Sequence, residues 1–370
     1  MKNKILFFLL FTCSPSLHSQ QSNSTFSRNY NIFLESKNHV ISSSLHTGVK
    51  PFLLINLDSN IQNNEGSWFF RKWNKEHFIQ EQTDDFSLII NPILNLEIGK
   101  EKGNSKLIWT NTRGIIADGK LGKKFSFYSS FLENQSVFPR YITNNIFSKS
   151  SWIVPGQGEA HWTTDSIFDY AIASGHFSYQ ISKYSKMQFG TAKNFIGDGY
   201  RSLILSDNSF NYPFLKVNTT VGIFQYTNLY MQHMDLSSNP SQEFSYDKKY
   251  MSLHYLSANI TDRWNLAIFE TVVWGETRTP EYSGFDIAYL NPIIFLRPVE
   301  FSLNSPDNVL MGMNSKFKLS NSSHLYGQFV LDEFSGPSLN GEGFWGNKYA
   351  YQIGVKYYDV FGLNNLVIQL

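Results

Sequence analysis

Tyr349-Ala350-Tyr351-Gln352-Ile353-Gly354-Val355-Lys356-Tyr357 is the stretch that decides the fold. Aromatic or branched apolar residues hold every second position, and Ala, Gln, Gly and Lys fill the gaps. A period of two puts successive side chains on opposite faces of an extended strand. One face of this strand is therefore greasy and the other small, neutral or basic. The pattern recurs. Phe125, Phe127 and Phe131 alternate with Lys124, Ser126 and Ser130, and Trp264, Leu266, Ile268, Val272 and Trp274 share one parity. Further strands are predicted at 52–57, 86–99, 106–113, 168–180, 186–190, 222–236, 248–260, 310–319 and 324–332. The total is about twelve to fourteen. Turn signals separate them: Lys102-Gly103-Asn104, Gly119-Lys120-Leu121-Gly122, Asn321-Ser322-Ser323 and Gly346-Asn347. Residues 70–82 are the best helix candidate. Residues 139–164, 237–247 and 277–307 read as loops or inward folds.

Composition narrows the setting. Charged residues are 16% of the chain and aromatics 16%, whereas an ordinary soluble domain carries roughly 25% charged residues. The net charge of +1 offers no field to attract nucleic acid. Past the N-terminus, no apolar run reaches the roughly 18 residues that a spanning helix needs.

Residues 1–20 read as a signal peptide. Lys2 and Lys4 precede the apolar run Ile5–Phe11, and cleavage is expected near Ser19 or Gln20. A rival reading lipidates Cys13, although Thr12 is a poor residue before such a cysteine. Cys13 is the only cysteine, so the mature chain is expected to have no disulfide or thiol chemistry. Residues 21–47 are Asn/Ser-rich and expected to be a flexible segment. Residues 48–370 form one β-domain. The fold class expected is all-β: a transmembrane, antiparallel outer-membrane β-barrel with plug or loop elements. Only helices and closed barrels satisfy their backbone in lipid, and barrel strands alternate apolar-out and polar-in. The rival is a secreted β-sandwich or propeller.

Catalytic signatures are missing from the sequence. Gly197-Asp198-Gly199 begins like a dinucleotide fingerprint, but Ser202 stands where the third glycine belongs and no βαβ unit surrounds it. The histidines are scattered singly. No enzyme activity, cofactor or metal is expected.

Three polar clusters are candidate sites. They are Asp198, Tyr200, Arg201, Asp207 and Asn208; Arg297, Glu300, Asp307 and Asn308; and Asp332 with Glu333. Each has two readings. As polysaccharide or solute contacts, the polar groups would work with Tyr200, Phe210, Tyr212, Phe295 and Trp345, which lie nearby in sequence. As structure, Asp198 and Asn208 would cap turns, and Arg201 would pair with Asp198 or Asp207. Asp332 and Glu333 are strand neighbours that point to opposite faces, a poor catalytic dyad.

The stretch 197–208, running into Tyr212-Pro213-Phe214-Leu215, resembles the Wzi-like capsule-assembly outer-membrane proteins. Tyr289-Leu290-Asn291-Pro292, Glu300, Ser305–Leu310, Leu325-Tyr326-Gly327-Gln328 and Asp332-Glu333-Phe334 follow in the same order. Tyr141, Asn144-Asn145, 154–158 and 169–175 are similar to the gliding-motility RemB branch of that family. The resemblance runs from about Gly48 onward. It implies a non-enzymatic barrel with a plug, in the outer membrane of a Gram-negative bacterium. It implies a lectin-like role in holding surface or capsular polysaccharide, or a role in gliding with other machinery proteins. Outer-membrane lipid is the implied surroundings, with no nucleic-acid partner. The alternative is a porin-like diffusion channel with a lumen of Asn, Ser and Gln. A glycan hydrolase on a secreted β-fold is a third reading. Barrels of this kind end in an aromatic-terminated strand, whereas Asn364–Leu370 stops inside one. The sequence therefore reads as cut short at its C-terminus and is not expected to insert alone.

Overall fold

The computed structural model describes residues 21–23, 28–55, 67–68, 71, 76–148, 152–163, 166–235, 246–275, 277–279, 282–295, 307–332 and 348–370. The predicted signal peptide and Arg297, Glu300, Glu333 and Trp345 lie outside the described residues.

A 15-stranded antiparallel sheet dominates the structure, which is all-β apart from short helices. Fourteen strands lie side by side in chain order. They are β1 (Ile79–Gln82), β2 (Phe86–Lys100), β3 (Leu107–Leu121), β4 (Phe125–Val137), β5 (Phe168–Gln180), β6 (Ser185–Ala192) and β7 (Tyr212–Val221). Then come β8 (Phe224–Met234), β9 (Lys248–Asn259), β10 (Trp264–Gly275), β11 (Asn308–Lys318), β12 (Ser323–Asp332), β13 (Lys348–Tyr358) and β14 (Val367–Gln369). His161–Trp162 pairs with β5 off this path. Among the described residues, β1 pairs only with β2 and β14 only with β13.

The two rims differ. Tight turns at 122–124, 181–184, 222–223, 260–263 and 319–322 close one rim, while the long connections 138–167, 193–211, 235–247, 276–307 and 333–347 leave from the other.

Burial along the strands is inverted relative to a soluble protein. On β13, Tyr349, Tyr351 and Ile353 point outward, with Ile353 78% exposed. Lys356, on the opposite parity, is 2% exposed. The inward rows continue across the sheet: Lys356 opposes His324, which opposes Lys318, and Gln352 opposes Gln328, which opposes Asn314. The outward rows carry exposed Leu94, Leu96, Ile98, Phe131, Phe189, Met313, Phe317 and Leu325.

An apolar core lies on the inward side. Val49, Ile196 and Leu205, from segments inside the sheet, pack against Phe214, Leu229, Leu253 and Phe269 of β7 to β10. Burying each such side chain is worth about 1.5–3 kcal/mol.

Several elements differ from expectation. Residues 28–47, read as flexible, hold helix α1 (Arg28–Asn38) and a crossing that is half-exposed at 40–45 and buried at His46 and Thr47. Helix α2 (Arg140–Ser148) sits in the stretch read as irregular. Ile79–Gln82, read as part of a helix, is strand β1, because its backbone pairs with β2 at the sheet edge. β3 runs on to Leu121, so the turn falls at 122–124. β7 was not foreseen. Tyr212 and Phe214 face inward while Pro213 and Leu215 face outward, so apolar residues on both faces hide its alternation.

Residues 284–295 lie over the outside of the sheet, not within it. Tyr226 Oη donates to the Pro292 carbonyl at 2.5 Å, Tyr230 Oη to Leu290 O at 3.0 Å, and Ser252 Oγ to Tyr289 O at 3.0 Å. Phe295 N donates to Glu270 Oε2 at 2.5 Å. Tyr289 packs with Tyr250, Val272, Trp274 and Val309 on the same outward face. The strap's own outer surface is apolar, with Phe285, Ile287, Leu290, Ile293 and Phe295 exposed.

Candidate functional site

Two inward segments, 28–52 and 194–211, form a plug. They are stitched to each other by pairing of Val49–Lys50 with Phe195–Ile196, and by Gly197 N donating to Gly48 O at 2.7 Å. They are stitched to the wall by side chains that satisfy plug backbone. Lys318 Nζ donates to the carbonyls of Val40, Ile41 and Ser43, and Asn259 Nδ2 to Ser44 O. His46 Nδ1 lies 2.8 Å from Ser257 Oγ. Where the crossing packs on the wall some of its backbone carbonyls turn away from water, and these bonds pair them.

The plug's charges are paired with those of the wall. Glu35 of α1 accepts from Lys356 Nζ at 2.9 Å. Asp198 accepts from Thr47 Oγ1 at 2.5 Å and Asn314 Nδ2 at 2.8 Å, with Lys316 Nζ 3.9 Å away. Lys50 Nζ donates to the carbonyls of Thr47 and Gly197 at 2.9 and 2.6 Å. Burial alone would push the Glu35 carboxyl up, but Lys356, Lys50, His324 and Lys316 outweigh it and hold it at about 2. Burial likewise opposes the charge on Asp198, and Lys316 and Lys50 with two hydrogen bonds hold its carboxyl well below the usual range. Burial, aided by Lys316, pushes the His46 imidazole down to about 4.

The predicted site residues fall in four places. Asp198 is structural, 1% exposed at the plug centre. Arg201 pairs with neither Asp198 nor Asp207. Its Nη1 donates to Asn208 Oδ1 at 2.9 Å, and its guanidinium lies 5.1 Å from the Tyr200 ring centre. Arg28 takes Asp207 instead, with Nε–Oδ2 at 3.0 Å and Nη2–Oδ1 at 2.5 Å. The Arg28 guanidinium also lies 4.2 Å from the Tyr200 ring centre, so a π face offered to a sugar is already engaged by a cation. Asp307 accepts from Tyr289 Oη of the strap, on the outer face. Asn308 opens β11, and Asp332 closes β12 opposite Lys348 at the long-connection rim. The described members of the three clusters therefore do not converge.

Sequence reasoning missed Glu35, Lys50, Lys316 and Lys356, which with Asp198 make the charge centre, and the neutral His46 buried nearby. One signal was legible: Lys316, Lys318 and Lys356 all sit on the inward parity of strands whose other parity is mostly apolar.

Between the plug and the inward faces of β4 to β7 lies a cavity of about 290 Å³. Ser130, Ser174, His176, Gln188, Lys193 and Lys216 are among its lining residues. This composition can hold a polar solute by hydrogen bonds and charge. Among the described residues, no group of three or more His, Cys, Asp and Glu side chains is placed to hold a metal ion.

No protein-family model and no curated protein matches the chain. Solved structures overlap it loosely. Salmonella typhi OmpF, in a complex with daunomycin, is 9% identical over 76% of this chain and 88% of that one, with a TM-score of 0.31. Pseudomonas aeruginosa OccK9 is 8% identical over 77% and 91%, with a TM-score of 0.29. The CymD monoaromatic hydrocarbon channel is 9% identical over 75% and 72%, with a TM-score of 0.23. The fold described above stands on the chain's own strand pairing.

Proposed function

We propose that this chain is a membrane-spanning β-barrel protein of an outer membrane. Its lumen is closed by its own plug, and it takes a small polar solute into the cavity beside that plug. The observation that carries this reading is the inverted burial: lysines inside, Leu, Ile, Phe and Tyr exposed outside. Water would penalise that outer surface, and lipid would not. On β4 the outward row runs Phe125, Phe127, Ser129, Phe131, then Glu133 and Gln135 toward the long-connection rim. That change fits the upper edge of a lipid-facing band. The strap obeys the same logic, because sheet side chains satisfy its backbone and only apolar groups face out.

The reading refines the porin-like alternative, since the plug fills the lumen that an open porin keeps aqueous. Planar-bilayer recording of the complete protein tests it. Wild type should give no large steady openings, and Glu35→Ala, which frees the helix from Lys356, should give them. Large openings in wild type would contradict the plug. Silence in every variant would contradict the channel.

Retention of surface or capsular polysaccharide, including a gliding role, is a second reading. Exposed Arg201 beside Asn208 on the plug surface favours it, although the Tyr200 face beside them is taken by Arg28. A capsule pull-down with wild type and Arg201→Ala tests it: equal capture, or none by either, counts against this surface.

A further inference from the structure

The two halves of the lumen wall are supplied with charge unequally. On the β11 to β13 side, Lys316, Lys318 and Lys356 meet plug carboxylates or carbonyls. On the β5 to β7 side, the plug's carboxylate is Asp207, and it is already paired with Arg28. Lys186 is 4% exposed, and its ammonium has no hydrogen-bond partner. His176 is 6% exposed, and neither ring nitrogen has a partner. Lys216 is 1% exposed and reaches one neutral acceptor, Asn194 Oδ1, at 2.9 Å.

These groups share one patch of wall. Gln188 of β6 opposes Lys216 of β7 and Ser178 of β5. Lys186 sits two residues along β6 from Gln188, and His176 two residues along β5 from Ser178. His176, Gln188 and Lys216 line the 290 Å³ cavity, joined by Lys193 from the following loop. Asp207 is the carboxylate in the lining, and Arg28 already takes both its oxygens. Asp118, the inward carboxylate of β3, is separated from His176 by Tyr128 in the same cross-strand row.

A buried ammonium without a counter-charge is costly, so proteins normally pair such groups. We infer that this cavity is an anion site: it binds a carboxylate- or phosphate-bearing solute of about monosaccharide size, with Lys216 supplying charge from the lining, Lys186 adding its field from the next cross-strand row outside it, and His176 and Gln188 giving hydrogen bonds. The oxyanion is the shared chemistry, and paired cations with neutral amide donors suit it. The inference rests on the reading of the cavity as a solute site and names the class of solute.

Calorimetric titration of the complete protein in detergent, at low ionic strength, tests it with glucuronate, glucose 6-phosphate and glucose. One or both anions should bind and glucose should not; which anion binds tells carboxylate from phosphate. Lys216→Gln should weaken binding at least about tenfold, a loss of roughly 1.4 kcal/mol, and Lys186→Gln, whose ammonium acts from outside the lining, should weaken it by a smaller factor. Lys183→Gln, on the adjoining tight turn, should leave it unchanged, and circular dichroism checks that all variants fold. Glucose binding as well as the anions would overturn the anion claim while leaving the solute cavity standing. No binding by either anion, or unchanged binding in both lysine variants, would overturn the claim as well, and the conductance measurement separately decides the plugged channel.

Discussion

Lys356 Nζ donates to Glu35 Oε2 at 2.9 Å, joining residues 321 positions apart. The pair fastens the N-terminal helix to the thirteenth strand, and both side chains are almost wholly buried. Removing one partner of such a pair leaves a buried charge uncompensated, typically destabilising by about 3–5 kcal/mol. Glu35→Gln and Lys356→Met should therefore release residues 28–50 from the lumen. Hydrogen exchange of that segment should accelerate in either variant while the strand amides of β4 to β10 stay protected.

The second prediction concerns acid. Glu35 and Asp198 are held below their ordinary carboxylate values. A depressed carboxyl contributes stability that is complete above its unfolded value and lost as pH falls toward the folded one. For Glu35 that window runs from about 4.5 down to about 2. His46 is depressed from 6.5 to about 4 because it is buried neutral, so it begins to favour the released state below about 6.5. Plug docking should thus weaken in two stages on acidification. His39 of the same segment is held down by burial as well, so His46→Asn should shrink the first stage in pH-dependent hydrogen exchange and His39→Asn with His46→Asn should remove it, while an unchanged first stage in the double variant would show that another group drives it.

Asp198 carries a third prediction. Its carboxylate faces Lys316 and Lys50 and accepts from Thr47 and Asn314. Asp198→Asn keeps the shape but leaves two buried cations without this counter-charge. It should lower the thermal midpoint more than Arg201→Ala, whose side chain is exposed and bonded only to Asn208. An equal effect of the two substitutions would mean that the plug does not depend on this centre.

The outer strap gives a fourth. Tyr230 and Ser252 hydroxyls satisfy the carbonyls of Leu290 and Tyr289. Tyr230→Phe and Ser252→Ala should each leave a carbonyl unpaired, at about 1–3 kcal/mol apiece. Proteolysis within 284–295 should rise in the double variant. An unchanged cleavage rate would place the strap's stability in its Tyr289 contacts instead.

The sheet was legible in the sequence because a period of two survives wherever the two faces differ in polarity, as along 349–357. It failed at β7, where Tyr212 and Leu215 put apolar groups on both faces, and it gave no warning of α1. The helix is polar enough to read as a loose segment, because its buried residues include Asn31 and Glu35, and Glu35 is held by Lys356 of the wall and not by an apolar partner helix. The cluster at 198–208 was visible as charge, but its pairing was not. Arg28 and Asp207 lie 179 positions apart, and no local spacing marks such a contact. The strap was hidden for a similar reason. Asn228, His254 and Glu270 lie in one cross-strand row on the outward face, and polar residues on that parity make sense only once 284–295 covers them.

The claim on which the rest depends is that the outward face of the sheet meets lipid while the inward face does not. Nitroxide scanning of β13 in the complete, membrane-inserted protein measures this directly, with single cysteines introduced from 349 to 353 in a Cys13→Ser background. The account predicts alternation. Labels at Tyr349→Cys, Tyr351→Cys and Ile353→Cys should relax with oxygen, which partitions into lipid. Labels at Ala350→Cys and Gln352→Cys should be shielded from oxygen. Uniform access along the strand, or water access at Tyr351 and Ile353, would contradict it.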